Sequence, residues 1–195
     1  MTANQTPRQR LPRAERRSQL LATARDLIDE VGTDGFTLDR LAARAGVTKP
    51  VIYDHFGNRA GVLTEIFREC KDAQREALTA ALDSTPPELP VVAAVIAGAY
   101  INCCLTEGTE LRDVSAALTG SAVLRRVRKD AEDVYLAQCR RALEPLCGQV
   151  ADRDMAAFTG AGDALARCVL DGGTTAADAC RSLTRILMAV TDDRD

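Results

Sequence analysis

Between Thr37 and Arg59 the chain reads TLDRLAARAGVTKPVIYDHFGNR, and this stretch gathers Thr37, Thr48, Lys49, Tyr53, His55, Asn58 and Arg59, side chains able to meet a polyanion. Thr37 precedes Leu38, Leu41, Ala42 and Ala45, spaced to line one face of a short helix. Gly46-Val47 forms a tight break, and Thr48 stands where the cap of a second short helix belongs. Pro50 is tolerated there because the first helical turn has no intrahelical donor to lose. Ile52 and Phe56 are four apart and serve as that helix's anchors. Lys49, Pro50, Val51, Tyr53, Asp54 and His55 are left on its outer faces. A helix with two anchors and a Tyr and a His turned outward is poorly suited to packing alone. Two short capped helices about a glycine turn make a helix-turn-helix, whose second member fits a DNA major groove.

The neighbouring elements must hold this unit in place. A helix is expected from Arg13, with Leu20, Leu21, Ala24, Leu27, Ile28 and Val31 on its apolar face and Gly32 as its stop. After Phe56-Gly57, Asn58 caps a fourth, long helix carrying Val62, Leu63, Ile66, Phe67, Cys70, Ala73, Ala77, Leu78 and Ala81. The proline-rich stretch from Ser84 to Pro90 is a loop. Beyond it, helices are predicted at about 91–106, 110–118, 122–144, 152–171 and 175–191. Gly108, Gly120, Gly148 and Gly172-Gly173 supply the breaks, and Pro145 helps to end the third of these helices. No segment alternates in the manner of a strand, so no sheet is expected.

Composition agrees: 46% of residues are hydrophobic but only 4% aromatic, with no Trp, so aliphatic side chains must fill the core. The net charge of −3 is unevenly spread. Residues 1–60 hold ten basic and seven acidic side chains, and the remainder fifteen and twenty-one. Arg8, Arg10, Arg13, Arg16 and Arg17 are opposed by Glu15 alone over that stretch, so the basic end suits a polyanion. The longest apolar run, Val91 to Ile101, falls short of the roughly 18 residues of a spanning helix. The polar N-terminus does not read as a secretory signal, so a cytoplasmic protein is expected. The seven cysteines (70, 103, 104, 139, 147, 168 and 180) include no C-x-x-C pair, and reduced core thiols are expected.

Residues 13 to 70 resemble the TetR (tetracycline repressor) family of transcriptional regulators. The resemblance lies in Thr37-Leu38, in Ala45-Gly46-Val47-Thr48, in Lys49-Pro50-Val51-Ile52-Tyr53-Asp54-His55-Phe56 and in Asn58-Arg59. It implies an all-α fold, with an N-terminal three-helix helix-turn-helix DNA-binding domain and a C-terminal helical ligand-binding and dimerisation domain. The expected divisions are a flexible basic arm at 1–12, the DNA-binding domain at 13–73 and the regulatory domain at 74–195. The resemblance places Lys49, Pro50, Val51 and Tyr53 on bases or adjoining backbone, with Lys donating to guanine and Pro or Val touching a thymine methyl. It places Tyr53, His55 and Arg59 on phosphate, Arg59 beside the free amides of helix four. Thr37 and Thr48 cap and contact phosphate, and Asn58 begins the next helix. Asp54 either accepts from cytosine or points away. The N-terminal arginines are candidates for the minor groove.

The same resemblance pairs residues of about 152–191 with their copies in a homodimer. Ala156, Ala157, Gly160, Ala161, Gly162 and Ala164 permit close helix approach, and Leu183, Ile186, Leu187 and Val190 add an apolar stripe. Two-fold symmetry then sets two reading helices about one DNA turn apart on a near-palindromic operator, double-stranded DNA being the expected partner. A small-molecule effector is expected in the body, with Tyr100, Asn102, Cys103, Cys104, Tyr135 and Phe158 as candidate contacts. Helix four is the expected lever, and the expected function is a repressor released by that ligand. The alternatives are a thiol-based redox regulator and an activator. No enzyme motif, membrane contact, metal ligand set or cofactor fingerprint is read from the sequence, and its single histidine lies in the DNA-reading helix.

Overall fold

A computed structural model describes residues 11–109, 111–117 and 120–192. Among them the chain forms nine helices and no strand. These are α1 (Arg13–Gly35), α2 (Leu38–Ala45), α3 (Lys49–Phe56), α4 (Arg59–Asp83), α5 (Leu89–Thr109), α6 (Arg112–Ala117), α7 (Ala122–Cys147), α8 (Asp152–Leu170) and α9 (Ala176–Asp192). The chain divides into two units, 1–66 and 67–195, with the division inside α4. The 73/74 boundary drawn from the sequence falls in the same helix. Of the expected basic arm, residues 1–10 lie outside the described residues, and Pro12 stands at the start of α1.

The core of the first unit is the predicted aliphatic stripe. Leu20, Leu21, Ala24 and Leu27 of α1, Phe36 at its C-cap, Leu41 and Ala42 of α2, Ile52 of α3, and Val62, Leu63 and Ile66 of α4 are all buried. Ile28 is half-buried and Val31 is exposed, at the margin of that stripe. The helix breaks at Gly32 (φ 69°, ψ 170°) as expected, then resumes for a turn to Gly35. At the turn between α2 and α3, Gly46 adopts the left-handed conformation (φ 65°, ψ 36°). Val47 N then donates to Ala42 O at 3.0 Å, so orphan carbonyls of α2 are satisfied within the turn.

The second unit is built around α5, which packs against α7, α8 and α9. Its core joins Val92, Ala93, Ile96, Ala97 and Ile101 of α5 to Leu143 of α7, Met155 and Phe158 of α8, and Leu183 and Leu187 of α9. α5 is apolar around most of its circumference; the side facing α7, α8 and α9 is buried, while Val91 and Ala94 are left exposed. From Leu89 to Glu107 it is long and apolar enough, by length and composition, to cross a membrane. The run counted from sequence stopped at Ile101, but Cys103, Cys104 and Leu105 prolong the apolar character past Asn102.

Two sequence expectations about breaks are corrected. α5 continues through Gly108, and α7 contains Pro145 and ends at Cys147. Gly108 keeps its backbone N–H and costs a propagating helix only about 1 kcal/mol relative to Ala, while Pro145 removes a single donor in the last turn of α7.

Candidate nucleic-acid interface

α3 is held from behind by Ile52, its one buried residue. Phe56, the second expected anchor, is half-buried and lies beneath the Arg17 guanidinium, whose central carbon is 4.8 Å from the ring centroid. Lys49, Pro50, Tyr53 and Asp54 are exposed, Tyr53 to 50%, while Val51 is half-buried. Thr37 caps α2 by accepting from Arg40 N at 3.2 Å. Asn58 Oδ1 accepts from Gly61 N at 2.9 Å at the start of α4. Thr48 occupies the cap position of α3, but its side chain makes no capping bond.

Several basic groups that composition assigns to a polyanion are engaged within the chain. Arg59, expected on phosphate, donates from Nε to Phe36 O at 3.0 Å and also bonds Thr33 O. At the α1–α2 corner Arg59 supplies the donor for Phe36 O, and at Thr33 O it adds to the bond from Phe36 N at 3.1 Å. Arg40 likewise donates to Gly35 O at 2.8 Å. Lys49 pairs with Asp39 at 2.5 Å, an exposed contact that water and salt screen. Asp54, whose role sequence reasoning left open, accepts from Arg13 at 2.7 Å.

His55 also departs from expectation, since it is half-buried and its Nδ1 lacks a hydrogen-bond partner. Burial lowers its pKa, and the nearby positive charge of Arg13 lowers it further, so the ring is neutral at pH 7. Arg13 and Arg17, which the sequence assigned to a polyanion, instead donate to Asp54 O and His55 O of α3, a role that sequence reasoning missed. Their signal was their spacing of four on α1, which puts both on one helical face.

The second unit contains a cavity of about 910 Å³ whose walls include Lys71 and Gln74 of α4, Tyr100, Cys103 and Glu107 of α5, and Tyr135 of α7. Of the six expected contacts, Tyr100, Cys103, Cys104 and Tyr135 line it. Phe158 does not, being fully buried in the core with its ring edge-on to Tyr100 at 5.2 Å. Asn102 is exposed and also lies off the cavity, because its neighbours on α5 take the inward positions. One wall is strongly charged. Lys71 Nζ donates to Glu107 Oε2 at 2.8 Å and to Cys103 Sγ at 3.2 Å, and Arg128 also pairs with Glu107.

Burial works against the charge on Lys71, but the adjacent Cys103 and Glu107 outweigh it and raise its pKa. On the other side Tyr100 donates to Asp163 Oδ1 at 2.9 Å. Burial, with the neighbouring Cys104 and Asp163, pushes the Tyr100 phenol up. Burial likewise raises the Cys103 thiol despite the pull of Lys71, and holds Cys104 and Cys139 at about 12. None of the seven cysteines is joined in a disulfide.

Residues 20–66 match the family model of bacterial regulatory proteins of the tetR family. The N-terminal unit belongs to the TetR family. The similarity extends to the transcriptional activator FasR of Mycolicibacterium smegmatis, 37% identical over 76 residues, which is 39% of this chain and 35% of FasR. The class A tetracycline repressor from transposon 1721 of Escherichia coli is 46% identical over 44 residues, 23% of this chain and 20% of the repressor. These alignments thus span about a third or less of the relatives' own lengths.

The fold of the whole chain is that of TetR-family regulators. A tetR-family regulator from Streptomyces coelicolor superposes with a TM-score of 0.68 at 20% identity, covering 95% of this chain and 85% of that one. A TetR/AcrR regulator from Thermobifida fusca gives 0.64 at 23%, covering 93% and 100%. The TetR-type unit carries the sequence likeness, and the second unit is alike in fold.

Proposed function

We propose that this chain is a sequence-specific DNA-binding transcriptional regulator that inserts α3 into the major groove and acts as a repressor released by a small molecule. The observation that carries the reading is the construction of α3. One buried side chain, Ile52, fixes its back, while Lys49, Pro50 and Tyr53 face outward within the segment that matches the TetR family. Lys49 supplies a donor for guanine, Pro50 an apolar contact for a thymine methyl, and Tyr53 a hydroxyl for phosphate or base edge. Thr37, Thr48, Val51, Asp54, His55 and Asn58 border that surface. Arg59 supports it from within.

A homodimer through α8 and α9 presents two such helices to a near-palindromic operator in the cytoplasm. Ala156, Ala157, Gly160 and Ala164 are exposed on α8 and leave room for a partner helix. Gly162, Leu183 and Leu187 are occupied within the core, so the contact rests on the outer faces of the two helices. The effector occupies the cavity of the second unit. α4 contributes Lys71 and Gln74 to its wall and runs unbroken from Arg59 to Asp83. A ligand that favours one position of α4 therefore changes the affinity for DNA.

The activator reading is favoured by one specific observation, the similarity to the activator FasR. The thiol-redox reading has less support, since Cys103, Cys104 and Cys139 are held protonated and the thiolate is the reactive form. Selection of bound sequences from random DNA tests the central proposal. An inverted repeat is expected, and Lys49→Ala should change the preferred bases within it. Failure of the full chain to enrich any sequence at low ionic strength overturns the reading.

A further inference from the structure

Resting on the reading of α3 as the DNA-reading helix, we propose that Arg13 and Arg17 are positioning residues that cap its C-terminal turn, and that they do not serve as phosphate contacts. α3 has eight residues, too few to be stable alone, and its last four carbonyls have no partner inside the helix. Each of the four is nonetheless satisfied. Tyr53 O accepts from Gly57 N at 2.8 Å, and Phe56 O accepts from Asn58 N at 2.8 Å. The remaining two are taken by α1: Arg13 donates to Asp54 O at 3.1 Å, and Arg17 donates to His55 O at 3.0 Å.

The two arginines stand one turn apart on α1 and meet two successive carbonyls of α3, where the helix dipole is negative and a guanidinium is favoured. Each is held by more than the carbonyl. Arg13 also bonds the Asp54 carboxylate at 2.7 Å, neutralising an acid that would otherwise repel phosphate. Arg17 pairs with Glu65 at 2.6 Å and lies across the Phe56 ring, so α1, α3 and the start of α4 meet at one guanidinium. A side chain engaged on three sides has little freedom to reach outward. The basic excess near the N-terminus, which composition alone assigns to DNA, is here partly consumed in fixing the helix that reads it.

The test uses the full chain and two measurements. Arg17→Met keeps the aliphatic stem on Phe56 and removes the donors, and Arg13→Gln removes the charge on the more exposed arginine. In protein without DNA, hydrogen–deuterium exchange at the amides of 54–57 should rise tenfold or more in Arg17→Met and less in Arg13→Gln, with α5 unchanged. On the selected operator, affinity should fall at least tenfold for Arg17→Met while the slope of log K against log salt stays at the wild-type value. A slope reduced by about one unit per arginine, with exchange in α3 unaltered, would identify phosphate contacts and overturn the proposal. Should Arg17→Met unfold the first unit, Arg13→Gln decides by the same two readouts. If the wild-type chain binds no DNA, the DNA reading fails, while the exchange result still decides whether the arginines hold α3.

Discussion

The two units share one use of charged side chains, as donors to backbone carbonyls, and differ in a second. In the first, arginines serve helix ends near the surface: Arg13, Arg17, Arg40 and Arg59 each donate to a backbone carbonyl that lacks a helical partner. In the second, Arg125 and Arg140 likewise donate to Gly120 O and Val150 O, but charge is also drawn into the wall of a cavity, where Lys71, Glu107 and Arg128 compensate one another. A small unit made of short helices has many ends for its size, and cationic caps are a direct way to satisfy them. A larger unit encloses space, and charge beside that space must be paired before it can be sheltered from water. Under the proposed function, the first arrangement fixes the helix that meets DNA, and the second lines the proposed effector site with paired charge.

Glycine substitutions separate the two units most sharply. Alanine for glycine within a helix ordinarily gains up to about 1 kcal/mol. At Gly61 a Cβ would fall 1.9 Å from the Phe56 carbonyl oxygen, a backbone atom that cannot turn aside. Gly61→Ala should therefore cost about 3 kcal/mol or more through backbone strain at the α3–α4 corner, seen as a lower denaturation midpoint and lost DNA binding. At Gly162 a Cβ would fall 2.4 Å from the Tyr100 ring, which can rotate away only by leaving its place beside Phe158. Gly162→Ala should cost about 1–3 kcal/mol and change ligand or dye uptake by the cavity, leaving DNA affinity in the absence of effector near wild type.

Smaller effects test the charges. Lys71→Met leaves Glu107 still paired with Arg128, so the expected loss of stability is about 1–2 kcal/mol, less than breaking an isolated buried pair. The same change removes the cation that pulls the Cys103 thiol down, so alkylation of that cysteine should need a higher pH. Alkylation at unchanged pH would show that Lys71 does not govern the thiol. His55, the chain's single histidine, should titrate below the usual value near 6.5 in an NMR pH series. Because folding favours its neutral form, its contribution to stability is present above that value and is lost as pH falls through the depressed folded pKa. Arg13→Gln should move the midpoint upward. The smallest change is expected from Tyr53→Phe, which should leave stability within about 0.5 kcal/mol while weakening operator binding.

Some of this was legible in the chain itself. Local chemistry marked the elements: Thr37 and Asn58 as caps, Gly46-Val47 as a tight break, the spacing of Leu20, Leu21, Ala24 and Leu27 as a buried face. Helix identity and the outward flank of α3 follow from periods of three and four, which residues close in sequence determine by themselves. The partners of Arg13, Arg17 and Arg59 were not legible, because an arginine reads as basic whether it meets a phosphate or a carbonyl 38 or 26 residues away. Nor could Phe158 be told from Tyr100, since both are aromatic residues of apolar helix faces. The sequence by itself determined which segments are helices and which faces are apolar. The tertiary structure alone decided whether a charge faces water or a helix end and whether a ring borders space or fills it, because those outcomes depend on elements distant in the chain.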